Sequence, residues 1–393
     1  MPVKEYLLRA FWKKLGAHFE SMQHGEEIVS FSGVQPEYEA VRKTTGLVDL
    51  SRRGKIKVSG GDRIRVLHNI LSNDIKRLTP GESCHAALLS ATAKVLADMQ
   101  VIAFPDFILL DVEEGFDTHH AALLEKYVIT EDVSFEIMTD RLCHITIQGP
   151  ESPAVIKRLI SNPKNLPEKG THQNVLITGI ETTLLCCTHT GEMGYDFLVS
   201  AEHAETLIKE MLAAGEEKGP PKGEAIGEKK GPPKGEAIGK KKGLKPVGSL
   251  AREMLRIEAG ILRYGRDFDE ETLLPETGME DTAASESKGC YPGQEVVAKI
   301  KTYKRLNRKI TGLLLEGGLL PTRGDLICGE NQADIIGHIT SSSYSLALQK
   351  NIALGLLKIP FYQTSSKIKI LSRNQVIGAQ TTFLPFVKSS IEL

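Results

Sequence analysis

Residues 94–112 read KVLADMQVIAFPDFILLDV. Two apolar runs, 95–104 and 107–112, flank Pro105-Asp106, and strand-length runs joined by turn residues predict a strand pair. One carboxylate, Asp98, interrupts the first run. Turned inward it needs a partner; at a strand edge it faces water. Upstream, Lys55-Ile56-Lys57-Val58 alternates polar and apolar until Gly60-Gly61 breaks it. Asp62 then caps a helix whose Ile64, Leu67 and Leu71 share a face. Downstream, 117–126 reads as helix. The strand and helix mixture returns over 141–212, with strands at 145–148, 183–188 and 195–199. Ala204, Leu207, Ile208, Met211 and Leu212 form a helical stripe. Residues 249–259 are helical, and 309–388 hold short strands at turn-rich spacing, as in a small β-barrel. The fold class is α+β.

The chain has 393 residues, enough for two or three domains. Its 49 Lys plus Arg against 50 Asp plus Glu leave a net charge of -1, which argues against a nucleic-acid binder driven by bulk charge. No apolar run reaches the roughly 18 residues of a membrane helix, and charges interrupt the N-terminal apolar stretch. The six cysteines contain no C-x-x-C pair, so reduced cytoplasmic thiols are expected. EEKGPPKGEAIG at 216–227 returns as EKKGPPKGEAIG at 228–239. Nearly devoid of apolar residues, this segment cannot offset its ordering entropy. It is expected to be a disordered loop over 214–246, grown by tandem duplication.

Phosphate-loop, dinucleotide, zinc-protease and serine-hydrolase signatures are missing. His119-His120 is the only adjacent His pair, and helix neighbours point apart, so no metal site is expected. Four stretches carry candidate chemistry. Asp98 is the first. In Thr190-Gly191-Glu192-Met193-Gly194-Tyr195, two glycines allow a tight turn that presents Glu192 to accept paired N–H groups, unless it is a plain surface hairpin. Arg252 and Arg256 stand one helical turn apart and suit carboxylate capture, or else pair with Glu253 or Glu258. In Lys288-Gly289-Cys290-Tyr291-Pro292-Gly293-Gln294-Glu295, the Cys290 thiol precedes a helix beside Lys288, two influences that favour a thiolate; a space-filling buried Cys is the alternative. Lys299, Lys301, Lys304, Arg305, Arg308 and Lys309, with Tyr303 among them, form a basic stretch that is either a weak RNA contact or a solvated linker.

Residues 47–55 (LVDLSRRGK), 71–74 (LSND), 94–98, 190–192, 252–260 with Tyr264-Gly265, and 337–341 (GHITS), in that order and spacing, resemble the glycine-cleavage T-protein superfamily. KGCYPGQE at 288–295 resembles the signature of its YgfZ-type folate-binding branch, which assists iron–sulfur enzymes and, in some bacteria, tRNA modification. Arg53 stands where many T-proteins carry a methionine against the folate. The resemblance implies a three-domain ring around a central pocket for tetrahydrofolate or a one-carbon derivative. An N-terminal helical segment (1–37) would precede two intertwined α+β domains (38–308) and a terminal barrel (309–393). Asp98 matches the carboxylate near the reacting folate nitrogen, and Glu192, Arg252 and Tyr264 match folate-binding positions. Cys290 matches the branch's required cysteine; a single thiolate is too few to hold a cluster, which usually takes four protein ligands, so it would engage an iron, a sulfur or a partner thiol only transiently. The implied function is a tetrahydrofolate-binding accessory protein for iron–sulfur assembly or repair, serving iron–sulfur client or assembly proteins. The alternative is a folate-dependent aminomethyltransferase. A cytoplasmic monomer is expected.

Overall fold

The computed structural model describes residues 8–22, 25–160, 165–216, 243–303, 305–331, 334–362 and 365–388. Three β bodies organise the chain. Gly46–Asp49 enters a six-stranded sheet, then Gly54–Ser59 crosses into a five-stranded one. The chain stays there through Ser134–Ile137 and returns to the first sheet at Leu142–Gln148. The two sheets are therefore intertwined in sequence. In space, the five-stranded order is Ser83–Leu89, Val95–Ala103, Ile108–Val112, Gly54–Ser59 and Ser134–Ile137. The third body is a closed six-stranded barrel from Arg308–Leu315 to Gln375–Thr382.

Each sheet is covered by helices on one face. Helices Arg63–Ile70 and Asp117–Glu125 lay Leu67 and Leu124 on Ile56, Met99 and Leu110 of the five-stranded sheet. The stripe of the first helix is Val66, Leu67 and Ile70, while Ile64 is exposed. Helices Ser152–Leu159 and Ala204–Gly215 cover the other sheet through Ile156, Leu207 and Met211 against Ile145 and Phe197. The uncovered faces turn toward each other, and Ile102 and Leu109 pack on Leu185 and Leu198. Beside that contact the facing side chains become polar and the sheets part.

Where the structure describes it, the expected N-terminal helical segment is a short helix followed by a β-hairpin. Helix Arg9–Lys14 ends at Leu15-Gly16, where Gly16 has φ +89°, and His18–Met22 pairs with Gly25–Ser30 as an antiparallel hairpin. The short helix is held by burial of Phe11 and Trp12, and Trp12 Nε1 donates to Asp49 at 2.6 Å. Helix Val34–Lys43 runs across the expected boundary at 37. The duplicated segment lies outside the described residues, apart from Glu216. At the edges of the expected 214–246 loop the backbone is regular. Helix Ala204–Gly215 continues to Gly215, and Lys245-Pro246 pairs in parallel with Gly46-Leu47.

The 288–295 turn is pinned from two sides. The Lys288 ammonium, buried, donates to the carbonyl oxygens of His68, Leu71 and Asn73. It sits at the C-terminal end of helix Arg63–Ile70, where the helix dipole favours a cation, and burial lowers its pKa to about 8. It is thus committed to those carbonyls and not to the thiol two residues on. Gly293 has φ +79°, and a Cβ there would stand 2.6 Å from the Ser90 carbonyl oxygen and 2.9 Å from Ala93 Cα. Gly293→Ala should destabilise the protein by about 2–4 kcal/mol in urea unfolding, since strain and overlap act together.

Candidate functional site

A cavity of about 1070 Å³ lies where the three β bodies meet. The five-stranded sheet contributes Asp98 and Asp111, the other sheet His144 and Asp196, the connecting segment Tyr264, and the barrel Lys309. Strand alternation explains the first pair. Along Val95–Val101 the odd positions Val95, Ala97, Met99 and Val101 are buried and the even positions Leu96, Asp98 and Gln100 are half-buried, so Asp98 stands on the cavity side.

Asp98 has a specific partner. His85 lies opposite Gln100 on the neighbouring strand, and its Nε2 reaches diagonally to Asp98 Oδ1 at 2.6 Å. Among the described residues the other carboxylate oxygen has no protein partner. Burial alone would lower the His85 imidazole, but the charge and hydrogen bond of Asp98 outweigh it and raise its pKa. Tyr264, buried, donates to the Leu96 carbonyl at 2.9 Å and packs edge-on against Phe116 and His120.

A chain of alternating charges runs along one wall. Arg53 Nη2 meets Asp111 at 2.7 Å and Nη1 meets Glu113 at 3.2 Å; Arg263 joins Glu113 at 2.6 Å to Glu253 at 2.5 Å. Burial opposes ionisation of Glu113, yet Arg263 and Arg53 hold it down at about 2. Asp111 is likewise held below the usual carboxylate range by Arg53 and His144 against its burial. These groups are satisfied by one another, so Arg53 presents no free guanidinium to the cavity.

On the facing sheet, His144 and Asp196 are diagonal neighbours on paired strands Leu142–Gln148 and Gly194–Ser200. His189 approaches from the loop that leads into Gly194–Ser200, and its Nε2 donates to the Asp196 carboxylate at 2.9–3.0 Å. Gln148 fixes that loop by accepting from the His189 backbone N–H at 3.0 Å and the Thr190 hydroxyl at 3.1 Å. Despite burial, the two imidazoles hold Asp196 well below the usual carboxylate range.

Of the sequence candidates, Asp98 and Tyr264 line this cavity. Arg252 lies in a smaller adjoining cavity of about 100 Å³ that shares Arg53, Glu113 and His189 with the main one; its guanidinium meets Glu27 at 3.1 Å. Arg256 turns elsewhere and is buried against Glu253 and Asp267, both at 2.8 Å. Glu192 lines neither cavity. Its tight turn directs it into a buried ion pair with Arg42 at 2.6 Å, and the acid four residues later, Asp196, takes the inward place. Cys290 also lines neither cavity; it is exposed. The basic stretch at 299–309 is largely neutralised: Lys299 pairs with Glu295, Lys301 with Asp281 and Glu286, and Arg308 with Glu276. That removes the free positive field an RNA contact needs, while Lys304 lies outside the described residues. His119 meets Glu270 and His120 is packed in aromatic contacts, so they form no pair of ligands. His85, His144, His189 and Asp196 had no local signal; only strand register reveals them.

A model of the GCVT N-terminal domain matches residues 8–223, and one of the glycine cleavage T-protein C-terminal barrel domain matches 308–388. The aminomethyltransferase of Caldanaerobacter subterraneus is 28% identical over 365 residues, spanning 92% of this chain and 90% of that one. The mitochondrial aminomethyltransferase of Dictyostelium discoideum is 25% identical over 404 residues, spanning 99% and 93%. The crystal structure of the glycine cleavage system aminomethyltransferase T from Bartonella henselae superposes with a TM-score of 0.82 at 20% identity, over 98% of this chain and 99% of that one, a likeness of fold. Among the described residues no helix is long and apolar enough to cross a membrane.

The His85–Asp98 pair has a pH signature. A raised folded-state pKa stabilises the fold below the unfolded value of about 6.5, and the contribution fades as pH rises through the folded value. Asp98→Asn leaves burial and the Arg53 charge acting on His85, both of which lower its pKa. Its ring protons should then titrate below the usual histidine value by NMR. The stability deficit of the variant, about 1–3 kcal/mol at its widest, should be largest below about pH 6 and shrink above it.

Proposed function

This chain belongs to the glycine-cleavage T-protein family, and from that premise we propose that it is a tetrahydrofolate-dependent aminomethyltransferase acting on an aminomethylated carrier protein. The observation that carries this reading is Asp98, held by His85 at 2.6 Å in the wall of a cavity of about 1070 Å³. Relatives named aminomethyltransferase span most of the chain and support the same choice.

Within this reading, tetrahydrofolate occupies the cavity. Asp98 directs its unpaired oxygen at the reacting folate nitrogen, orienting it and stabilising the positive charge that develops on an iminium-like one-carbon unit. His85 acts through Asp98: it fixes one carboxylate oxygen so that the other is presented without reorganisation. Tyr264, tied to the backbone of Leu96, shapes the wall two residues from Asp98. Holding both reactants in one enclosed space supplies much of the acceleration. Asp196 replaces Glu192 as the acceptor for a pterin edge, because Asp196 faces the cavity and Glu192 is spent on Arg42.

Asp98→Asn should lower kcat for transfer from aminomethylated carrier to tetrahydrofolate by about 10²–10⁴-fold, with a smaller change in KM for folate. An undiminished rate in that variant removes the role assigned to Asp98. Glu192→Ala should leave folate affinity within about threefold, whereas Asp196→Ala should weaken it by the roughly 1–3 kcal/mol of a lost buried acceptor.

A second reading, an accessory factor for iron–sulfur proteins, is favoured by one observation. Among the described residues Cys290 is the exposed thiol in a turn pinned by Lys288 and Gly293. Since the thiol stands outside both cavities, it would meet a partner protein at the surface and not a folate. Iron–sulfur enzyme activities that fall in a Cys290→Ser strain while carrier-dependent transfer persists would favour this role; unchanged activities count against it.

A further inference from the structure

His144, His189 and Asp196 place three ligand atoms within 4.8 Å of one another, two of the residues from paired strands and one from the loop that enters the second of those strands. We propose that they bind a divalent first-row transition ion of the zinc type, with an open coordination position toward the cavity. All three residues line that cavity.

The donor set is two imidazole nitrogens and one carboxylate, a set that suits zinc-like ions in sites with a vacant fourth position. A harder ion such as magnesium or calcium takes mostly oxygen ligands and finds a single carboxylate here. Asp196 Oδ2 is 3.1 Å from His144 Nε2 and 2.9 Å from His189 Nε2. Donors of a tetrahedral site with bonds of about 2.0–2.1 Å stand about 3.3 Å apart, so the carboxylate already has nearly the right spacing to each imidazole, while the two imidazole nitrogens, within 4.8 Å of each other, close the set by rotation of the loop-borne His189.

An independent observation comes from His144 itself. Its side chain is 3% exposed, and neither ring nitrogen has a hydrogen-bond partner. Nε2 is near the Asp196 carboxylate without the alignment of a hydrogen bond. The ion-pair contact with Asp196 offsets only part of the cost of burying this imidazole without an aligned hydrogen bond, and an ion at Nε2 would supply the directed bond it lacks. Behind the ring, Asp111 Oδ1 lies 3.7 Å from Nδ1 and is itself fixed by Arg53. A carboxylate behind a ligating imidazole orients the ring and strengthens it as a donor. His189 is similarly placed by Gln148 through its backbone. The open position would carry water or a nitrogen or oxygen atom of whatever fills the cavity. This inference does not rest on the transferase reading, since ion binding is measured without turnover.

The test uses the full chain, stripped with a chelator and titrated with Co²⁺ as the probe. The site should take up one Co²⁺ per chain, with visible bands of four- or five-coordinate cobalt and paramagnetically shifted ring protons from two histidines, and Zn²⁺ should displace it. His189→Gln, in a loop, and Asp196→Asn, near-isosteric, should each weaken binding at least about a hundredfold. Asp111→Asn should weaken it about 10–100-fold, as loss of an orienting carboxylate does. His119→Gln should leave it unchanged. Absence of the shifted ring protons in the unaltered protein, or equal Co²⁺ affinity in folded His189→Gln, overturns the proposal.

Discussion

The structure depends on how it stabilises one inaccessible carboxylate. Glu258 is fully buried at the end of helix Ser249–Glu258. It accepts from Arg42 and from Ser345, each at 2.5 Å, and from the Tyr38 hydroxyl at 2.7 Å. Arg42 carries its other arm to Glu192 at 2.6 Å. One acid thus ties the helix Val34–Lys43, the connecting helix, the 187–193 loop and the barrel. A buried charge left without its partner costs several kcal/mol, so these contacts are made together or not at all. The clamp holds the barrel against the sheets, and the barrel completes the cavity.

The cavity follows from the two sheets sharing their uncovered faces. Apolar residues close one end, and the space beside them is lined with ionisable groups. Most of those groups fall into three sets: Asp98 with His85, the Arg53–Asp111–Glu113–Arg263 chain, and the His144–His189–Asp196 cluster. The middle set is saturated internally and acts as a rigid partition. The outer two keep unused donor or acceptor capacity, which is where chemistry has room to occur.

Sequence and structure agree where information is local. A carboxylate in an apolar strand marked Asp98, and turn-rich short strands marked the barrel. The order of the motifs marked the family. They part where information is long-range. Glu192 and Asp196 are both acids near one glycine turn, and nothing local says which faces inward; Arg42, 150 residues upstream, decides it. Lys288 sits two residues from Cys290 in sequence, yet carbonyls more than 200 residues earlier claim its ammonium. His85 and His144 become meaningful only through diagonal neighbours across a strand pair, a relation set by register. The N-terminal hairpin was hidden because its two short strands carry few apolar residues; it is held by pairing with each other and by what precedes them.

The last turn of helix Ala204–Gly215 lies against Leu244, so tightly that a Cβ on Gly215 would come within 2.3 Å of the Leu244 side chain. The chain therefore departs and re-enters at nearly the same point. Any peptide spliced between those two anchors closes a ring whose entropic cost climbs only logarithmically, by about 0.6 kcal/mol for each doubling. Two anchors in contact thus tolerate a change of twelve residues in the length of any flexible connection between them.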